Sequence, residues 1–214
     1  MPPPGAVNLL RGALVTIDLV TQVRNAIAFR FNPTTLRRSL QASTVGGGEQ
    51  GDRSQAVRFT GAPVETITLD AVFDSLASNS PASSSGIYPQ LAALSMLVYP
   101  QLAVIQQEQT LLAQGILEVI PALAPRTLFV WGAKRVLPVR VTGLTVQEEF
   151  FDPDLSPVRA TATLTLRVLS YSDLFPGNPD YRTYQAYQQE LQNLAQEGYT
   201  TQASTVTGVD VGSL

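Results

Sequence analysis

The chain contains no cysteine and no histidine. The first absence excludes disulfides and zinc–thiolate sites and is compatible with folding in a reducing compartment. Together the two remove the commonest nucleophile–base pairs and transition-metal ligands. Carboxylates, Tyr, Lys and Ser remain for catalysis, and no motif among them requires a cofactor or a metal, so the chain reads as non-enzymatic. Charge is scarce as well: 14% of the 214 residues are Asp, Glu, Lys or Arg, against about 25% in an average soluble protein. With a net charge of −3, such a surface suits coverage by copies of itself, not binding to nucleic acid. Long apolar runs are missing too. None approaches the ~18 residues that would span a bilayer, and residues 1–20, MPPPGAVNLLRGALVTIDLV, lack a basic stretch ahead of their apolar one and do not read as a signal peptide.

What is present is a chain long enough to bury roughly 70% of its unfolded surface as one large domain with an appendage. AIAFRF, residues 26–31, reads as a strand ending at Asn32-Pro33, because a residue before proline is pushed to extended geometry. Between Glu65 and Phe73, Ile67, Leu69, Ala71 and Phe73 alternate with Thr66, Thr68 and Asp70, the period of a half-buried strand. Residues 43–54, STVGGGEQGDRS, read as a loop, without the Lys-Ser/Thr that a phosphate cradle needs. Residues 77–86, ASNSPASSSG, read as a polar linker. The period then lengthens. Leu91, Leu94 and Leu97, and further on Leu102, Ile105, Leu112, Ile116 and Val119, stand at helical spacing, and Pro100 divides them into two helices over 88–120. TLFVW, residues 127–131, is apolar on both faces and is closed by Gly132, with Trp131 assigned to the core.

A long hairpin over 136–169 follows. Leu137, Val139 and Val141 place apolar residues at odd positions, whereas Leu144, Val146 and Phe150 place them at even ones. A one-residue slip inverts every later side chain, so the strand must bulge at Thr142-Gly143. In the partner strand Val158, Ala160, Ala162, Leu164, Leu166 and Val168 alternate with Arg159, Thr161, Thr163, Thr165 and Arg167. A tip between Phe151 and Pro157 sets Phe150 opposite Val158, Glu149 opposite Arg159 as a cross-strand ion pair, and Arg140 near Arg167. Like charges so placed either draw an acid from elsewhere, including another subunit, or splay into water. Asp152 and Asp154, with Pro153 and Pro157, are turn chemistry; a calcium loop would need repeated acids and a glycine at fixed spacing. Beyond Pro176, Asn178 suits an N-cap, Pro179 the first helical position, Asp180 the positive helix end and Gly198 the stop. On that helix Tyr184, Tyr187, Leu191 and Leu194 form a narrow apolar stripe, read as a partner-docking face, before a polar tail.

Four segments in order, Phe31-Asn32-Pro33, FTGAPVETITLDAVFD from Phe59 to Asp74, Phe129-Val130-Trp131-Gly132 and Pro157-Val158-Arg159-Ala160, resemble the tube-protein domain of phage-tail-like contractile injection systems. That family includes the baseplate adaptor bearing a LysM module, which is replaced here by the helix from Pro179. The resemblance covers about residues 15–172 and implies a mainly β tail-tube fold: two packed antiparallel sheets, a sandwich or barrel, with a helical connection and a C-terminal helix. It divides the chain into an N-terminal arm (1–14), the tube domain (15–172) and a helix with a polar tail (173–214). It also implies a sixfold homohexameric ring, with Arg140, Thr161, Thr163, Thr165 and Arg167 facing its lumen and with inner-tube, baseplate hub or spike, or cap proteins as partners. Assembly would be cytoplasmic, into a particle that is released or membrane-anchored, without direct membrane insertion by this chain. The role so implied is a tube initiator or adaptor joining inner tube and baseplate; a terminating cap or a tube subunit is the alternative. A peptidoglycan hydrolase using Glu148 and Asp152 is a remote one, since consecutive acids on opposite strand faces ill suit a carboxylate pair.

Overall fold

Two long runs of period-two alternation become neighbouring strands. In the computed structural model, which describes residues 12–17, 23–29, 32–45, 58–75, 86–100, 102–115 and 125–199, they are β6 (Val64–Asp74) and β9 (Pro157–Val168). Around them lie β1 (Ala13–Ile17), β2 (Arg24–Ala28), β3 (Leu36–Gln41), β4 (Thr44–Val45), β5 (Arg58–Phe59), β7 (Arg126–Val130) and β8 (Val136–Phe151), with helices α1 (Tyr88–Ser95), α2 (Leu102–Ala113) and α3 (Pro179–Gly198). Seven strands form one sheet in the order β2-β1-β7-β8-β9-β6-β3, with every neighbouring pair antiparallel, and β4 and β5 form a separate two-stranded ribbon.

The fold is mainly β with flanking helices, but the division into two large sheets is corrected to one continuous sheet. The cause is β8: its start pairs with β7 and its length from Val139 to Phe151 pairs with β9, so the strand joins the two halves instead of letting them separate. One face of this sheet is apolar. Leu14, Phe129, Leu137, Leu164, Leu166 and Ile67 are fully buried there, and helices rather than a second sheet supply the opposing layer. Leu91 and Leu94 of α1, Leu97 just beyond it, and Tyr184 and Tyr187 of α3 enter the same core.

The one-residue slip lies where the parity change requires it, with the register shifting between Val141 and Gly143. Thr142 is the extra residue, and its hydroxyl donates to the Thr165 carbonyl at 3.2 Å. Below the bulge Val141 faces Leu166, and above it Leu144 faces Leu164, so both halves of β8 keep their apolar side on the core. At the tip, Glu149 pairs with Arg159 and Phe151 with Pro157, the register the pattern implies, while Phe150 between them turns to φ 55° and makes no ladder pair. The Asp152 carboxylate accepts from the Asp154 and Ser156 amides at 2.9 and 2.8 Å, the turn role its position suggested.

Helix α1 is anchored to the same hairpin. The Ile87 amide donates to the Pro157 carbonyl, and Gly86, at φ 55°, lies so close that a Cβ there would sit 2.5 Å from that oxygen. Pro100 separates α1 from α2. Leu102 and Leu112 of α2 are exposed; Ile116 and Val119 lie outside the described residues, as do the GGGEQG loop, most of the 77–86 linker and the chain from 200 onward. The boundary placed at 14/15 falls inside β1, because Leu14 is fully buried opposite Phe129 and Ile27. Strand β3 and the β4–β5 pair were not evident in the sequence pattern.

Candidate functional site

The solvent-facing side of β6, β9 and β8 is a polar ribbon built rung by rung. From the hairpin tip downward the rungs are Asp74–Arg159–Glu149, Val72–Thr161–Gln147, Asp70–Thr163–Thr145, Thr68–Thr165–Gly143 and Thr66–Arg167–Arg140. Strict alternation on β6 and β9 makes it, because the residues between these positions are the ones buried in the core. The twelve residues of β9 give a ribbon of roughly 40 Å at ~3.4 Å per residue. Arg140, Thr161, Thr163, Thr165 and Arg167 therefore share one face, Arg140 exposed and the others half-buried.

The charges on this face are largely settled within the chain. The Thr163 hydroxyl donates to Asp70 at 2.6 Å. Arg159 lies 3.9 Å from Glu149, an ion pair too open to solvent to contribute more than about 1 kcal/mol. Arg167 meets Asp173 of its own chain at 2.7 Å, so its acid need not come from another subunit. Asp173 also accepts from the Ser170 amide and hydroxyl at 3.0 Å, which fixes the turn that follows β9. Arg140, directly opposite Arg167, borders a cavity of 530 Å³ together with Arg126, Phe175 and Asp180.

Helix α3 is attached to the opposite, apolar face. Asn178 caps it by accepting from the Asp180 amide at 2.9 Å, with Pro179 following, as the sequence predicts. Asp180 then pairs with Arg126 of β7 at 2.6 Å, their side chains only 7% and 18% exposed. One turn on, the stripe residues part ways. Tyr184 and Tyr187 are 6% and 5% exposed within the chain's own core, whereas Leu191 is exposed and Leu194 half-buried. This corrects the reading of all four as a partner-docking face: the tyrosines already dock on the sheet of their own chain.

Between that helix and the sheet lies a network that sequence reasoning missed. Arg38 of β3 donates to Glu65 of β6 at 2.7 Å and to the Tyr187 hydroxyl at 2.7 Å. Glu65 is 4% exposed and stands in register with Ile67 and Leu69, on the core side of β6. A carboxylate at an apolar position of an alternating strand was the available signal, since burying it demands a partner. Burial opposes the charge of Arg38, but the hydrogen bond and charge of Glu65 outweigh it and raise the guanidinium pKa. Burial, reinforced by Glu65, pushes the Tyr184 phenol up to about 12, and burial and Glu65 raise Tyr187 against the opposing pull of Arg38.

A phenol whose folded-state pKa exceeds its unfolded value of about 10 stabilises the fold fully below that pH, and the contribution drains away as pH rises through the folded value. For Tyr184 that window runs from about 10 to about 12. An alkaline titration is therefore expected to show phenolate absorbance from these two residues appearing together with loss of β-sheet circular dichroism. Their ionisation well before any structural change would contradict the burial described.

No constellation with a catalytic outline emerges from the acids considered earlier. Glu148 and Glu149 point to opposite sheet faces, opposite Ala160 and Arg159 respectively, and the Asp152 carboxylate is engaged by the turn amides. Among the described residues no group of three or more Asp or Glu could hold a metal ion, and no helix is long and apolar enough to cross a membrane.

A β-rich subunit with one sealed face and one long polar ribbon is the form of a structural building block. Residues 16–173 match the contractile injection system tube protein family, and the chain belongs to that family, whose members are structural tube proteins and not enzymes. Similar solved chains come from tail-like particles. One, from the virion of a native gene transfer agent particle, has 11% identity and a TM-score of 0.30, over 73% of this chain and 90% of that one. Another, from the tail of an empty gene transfer agent particle with C6 symmetry, has 12% identity and a TM-score of 0.33 over the same shares. No curated protein matches the chain.

Proposed function

We propose that this tube protein is a ring component joining the inner tube of a contractile injection particle to its baseplate. In this reading six copies close a ring, and the Thr/Arg ribbon bearing Arg140, Thr161, Thr163, Thr165 and Arg167 lines its lumen. The observation that carries it is the division of one sheet into a face sealed by α1 and α3 and a face left polar over the whole length of β9. A channel that passes cargo needs a wetted wall of weak hydrogen-bonding groups, and threonines supply one without strong fixed charge. Ring closure also answers a problem of edges. Beyond Val139 the outer edge of β8 has no strand partner among the described residues, and neither has the outer edge of β3. Pairing one with the other between neighbouring copies would remove both from solvent.

The adaptor role rests on α3. It lies beyond the matched span, yet it packs on the domain through Tyr184, Tyr187 and Asp180. A helix fastened to one end makes the two ends of the ring unlike, as a ring with different neighbours on its two sides requires. Partners on this reading are the inner-tube protein on one side and a baseplate hub or spike on the other, with assembly in the cytoplasm before the particle is released or anchored. The test is to image intact particles carrying an affinity tag on this chain. One layer of label at the baseplate end is expected; label along the whole tube would make the chain a tube subunit, and label at the far end a terminating cap.

A further inference from the structure

We infer that the stretch following α3 turns back along its own helix and seats Asp210 in the cavity beside Arg140. The lowest rung of the ribbon is short of negative charge. Arg140 and Arg167 stand opposite one another, and among the described residues one carboxylate, Asp173, serves the pair, bound to Arg167. The Nε of Arg167 is buried there with no acceptor. Like charges so placed favour a second acid. The 530 Å³ cavity bordered by Arg140 has the size of a ligand site. Ile17, Leu174 and Phe175 stand in its wall, the last 69% exposed, while Arg126 and Asp180 in the same wall neutralise each other. Its net charge is that of Arg140 alone. Such a socket fits one carboxylate flanked by apolar side chains. A nucleic-acid strand, whose binding depends on many cations meeting many phosphates, would find one cation and an apolar wall.

Residues 200–214, TTQASTVTGVDVGSL, lie outside the described residues and carry a single charged side chain, Asp210, with Val209 and Val211 on either side. In an extended chain successive residues face opposite ways, so the two valines turn to one side and the carboxylate to the other. The reach agrees. Asn178 and Pro179, at the start of α3, line the cavity, and the 20 residues of the helix carry its far end roughly 30 Å away at ~1.5 Å per residue. Residues 200–210 span up to about 37 Å when extended. Asp210 is thus the right distance along the chain to return to the cavity with little slack. Docked there, the segment touches only the lowest rung of the ribbon and leaves Thr161, Thr163 and Thr165 open above it. It also covers the Arg126–Asp180 pair that fastens α3 to β7. The contact does not depend on ring closure.

The absence of native cysteine makes a disulfide a specific reporter of the contact. A chain carrying Phe175→Cys and Val209→Cys is oxidised mildly at low concentration, and linkage within the chain is followed by non-reducing electrophoresis. A seated segment raises the effective thiol concentration, so linkage is expected at least about tenfold faster than in the same chain bearing Asp210→Lys as well. Adding Arg140→Glu to Asp210→Lys should restore the fast rate, because the exchanged charges attract again. Circular dichroism of each variant establishes that it is folded. A rate unaffected by Asp210→Lys would overturn the inference and leave the cavity to a separate partner. Slow linkage in the charge-exchanged chain would overturn it too, since Asp210 would then answer to a cation other than Arg140. Dimers linked between chains, in place of monomers linked within one, would make the occupant a second copy's segment and contradict the return along the same helix.

Discussion

Replacing Phe129 with alanine is expected to destabilise the fold by about 3–5 kcal/mol, the range for truncating a fully buried aromatic. Phe129 of β7 is 0% exposed, with Leu14 opposite on one side and Leu137 on the other. Its ring also stacks on Trp131 at 5.8 Å, so the cavity left behind would be bordered by the three strands that join the two halves of the sheet. Equilibrium urea unfolding measures the change, and the melting temperature should fall by roughly 10 °C for a domain of this size. Phe151→Ala, at the exposed tip, supplies the contrast and should shift stability by no more than about 0.5 kcal/mol. Equal effects at the two positions would mean that the core does not lie where β7 meets β1 and β8.

Asp180→Ala is the second large effect, also about 3–5 kcal/mol, because it leaves the Arg126 guanidinium buried without its counter-charge. The pair ties the first turn of α3 to the start of β7, and the same residue sits at the positive helix end, where a carboxylate is favoured. Replacing both partners by apolar residues of similar volume, Arg126→Met with Asp180→Leu, should recover most of the loss, since an ion pair exchanged for packing is often near neutral. A double-mutant cycle would give the coupling directly. If Asp180→Ala alone changes stability by less than about 1 kcal/mol, α3 is a loosely held appendage, and the argument that it makes the two ring ends unlike loses its basis.

The parts of this structure that were legible in the sequence are those whose cause is local. Alternation in 65–73 and 158–168 identifies strands because a two-residue period needs no knowledge of neighbours. The parity change across Gly143 locates the bulge for the same reason. Asn178, Pro179 and Asp180 specify a helix start through hydrogen bonds that span two residues. What escaped depends on distant partners. LRRSLQ of β3 does not alternate cleanly, since Arg38 occupies a core-side position that only Glu65, 27 residues away, and Tyr187, 149 residues away, make tolerable. The tyrosines of α3 show the same limit: an apolar stripe says that something covers it, but not whether that surface belongs to the same chain. Strand order is equally non-local, so one sheet and two could not be told apart from strand patterns alone.

The claim beneath the functional account is that the threonine ribbon faces an enclosed channel, and thiol accessibility at a single introduced cysteine tests it most directly. In assembled rings of a Thr163→Cys variant, a small maleimide should label the thiol, while a maleimide carried on a particle wider than the channel should not. A Glu197→Cys control on α3 should accept both reagents. Labelling of position 163 by the wide reagent as fast in rings as in free subunits would place the ribbon on the outside and contradict the account.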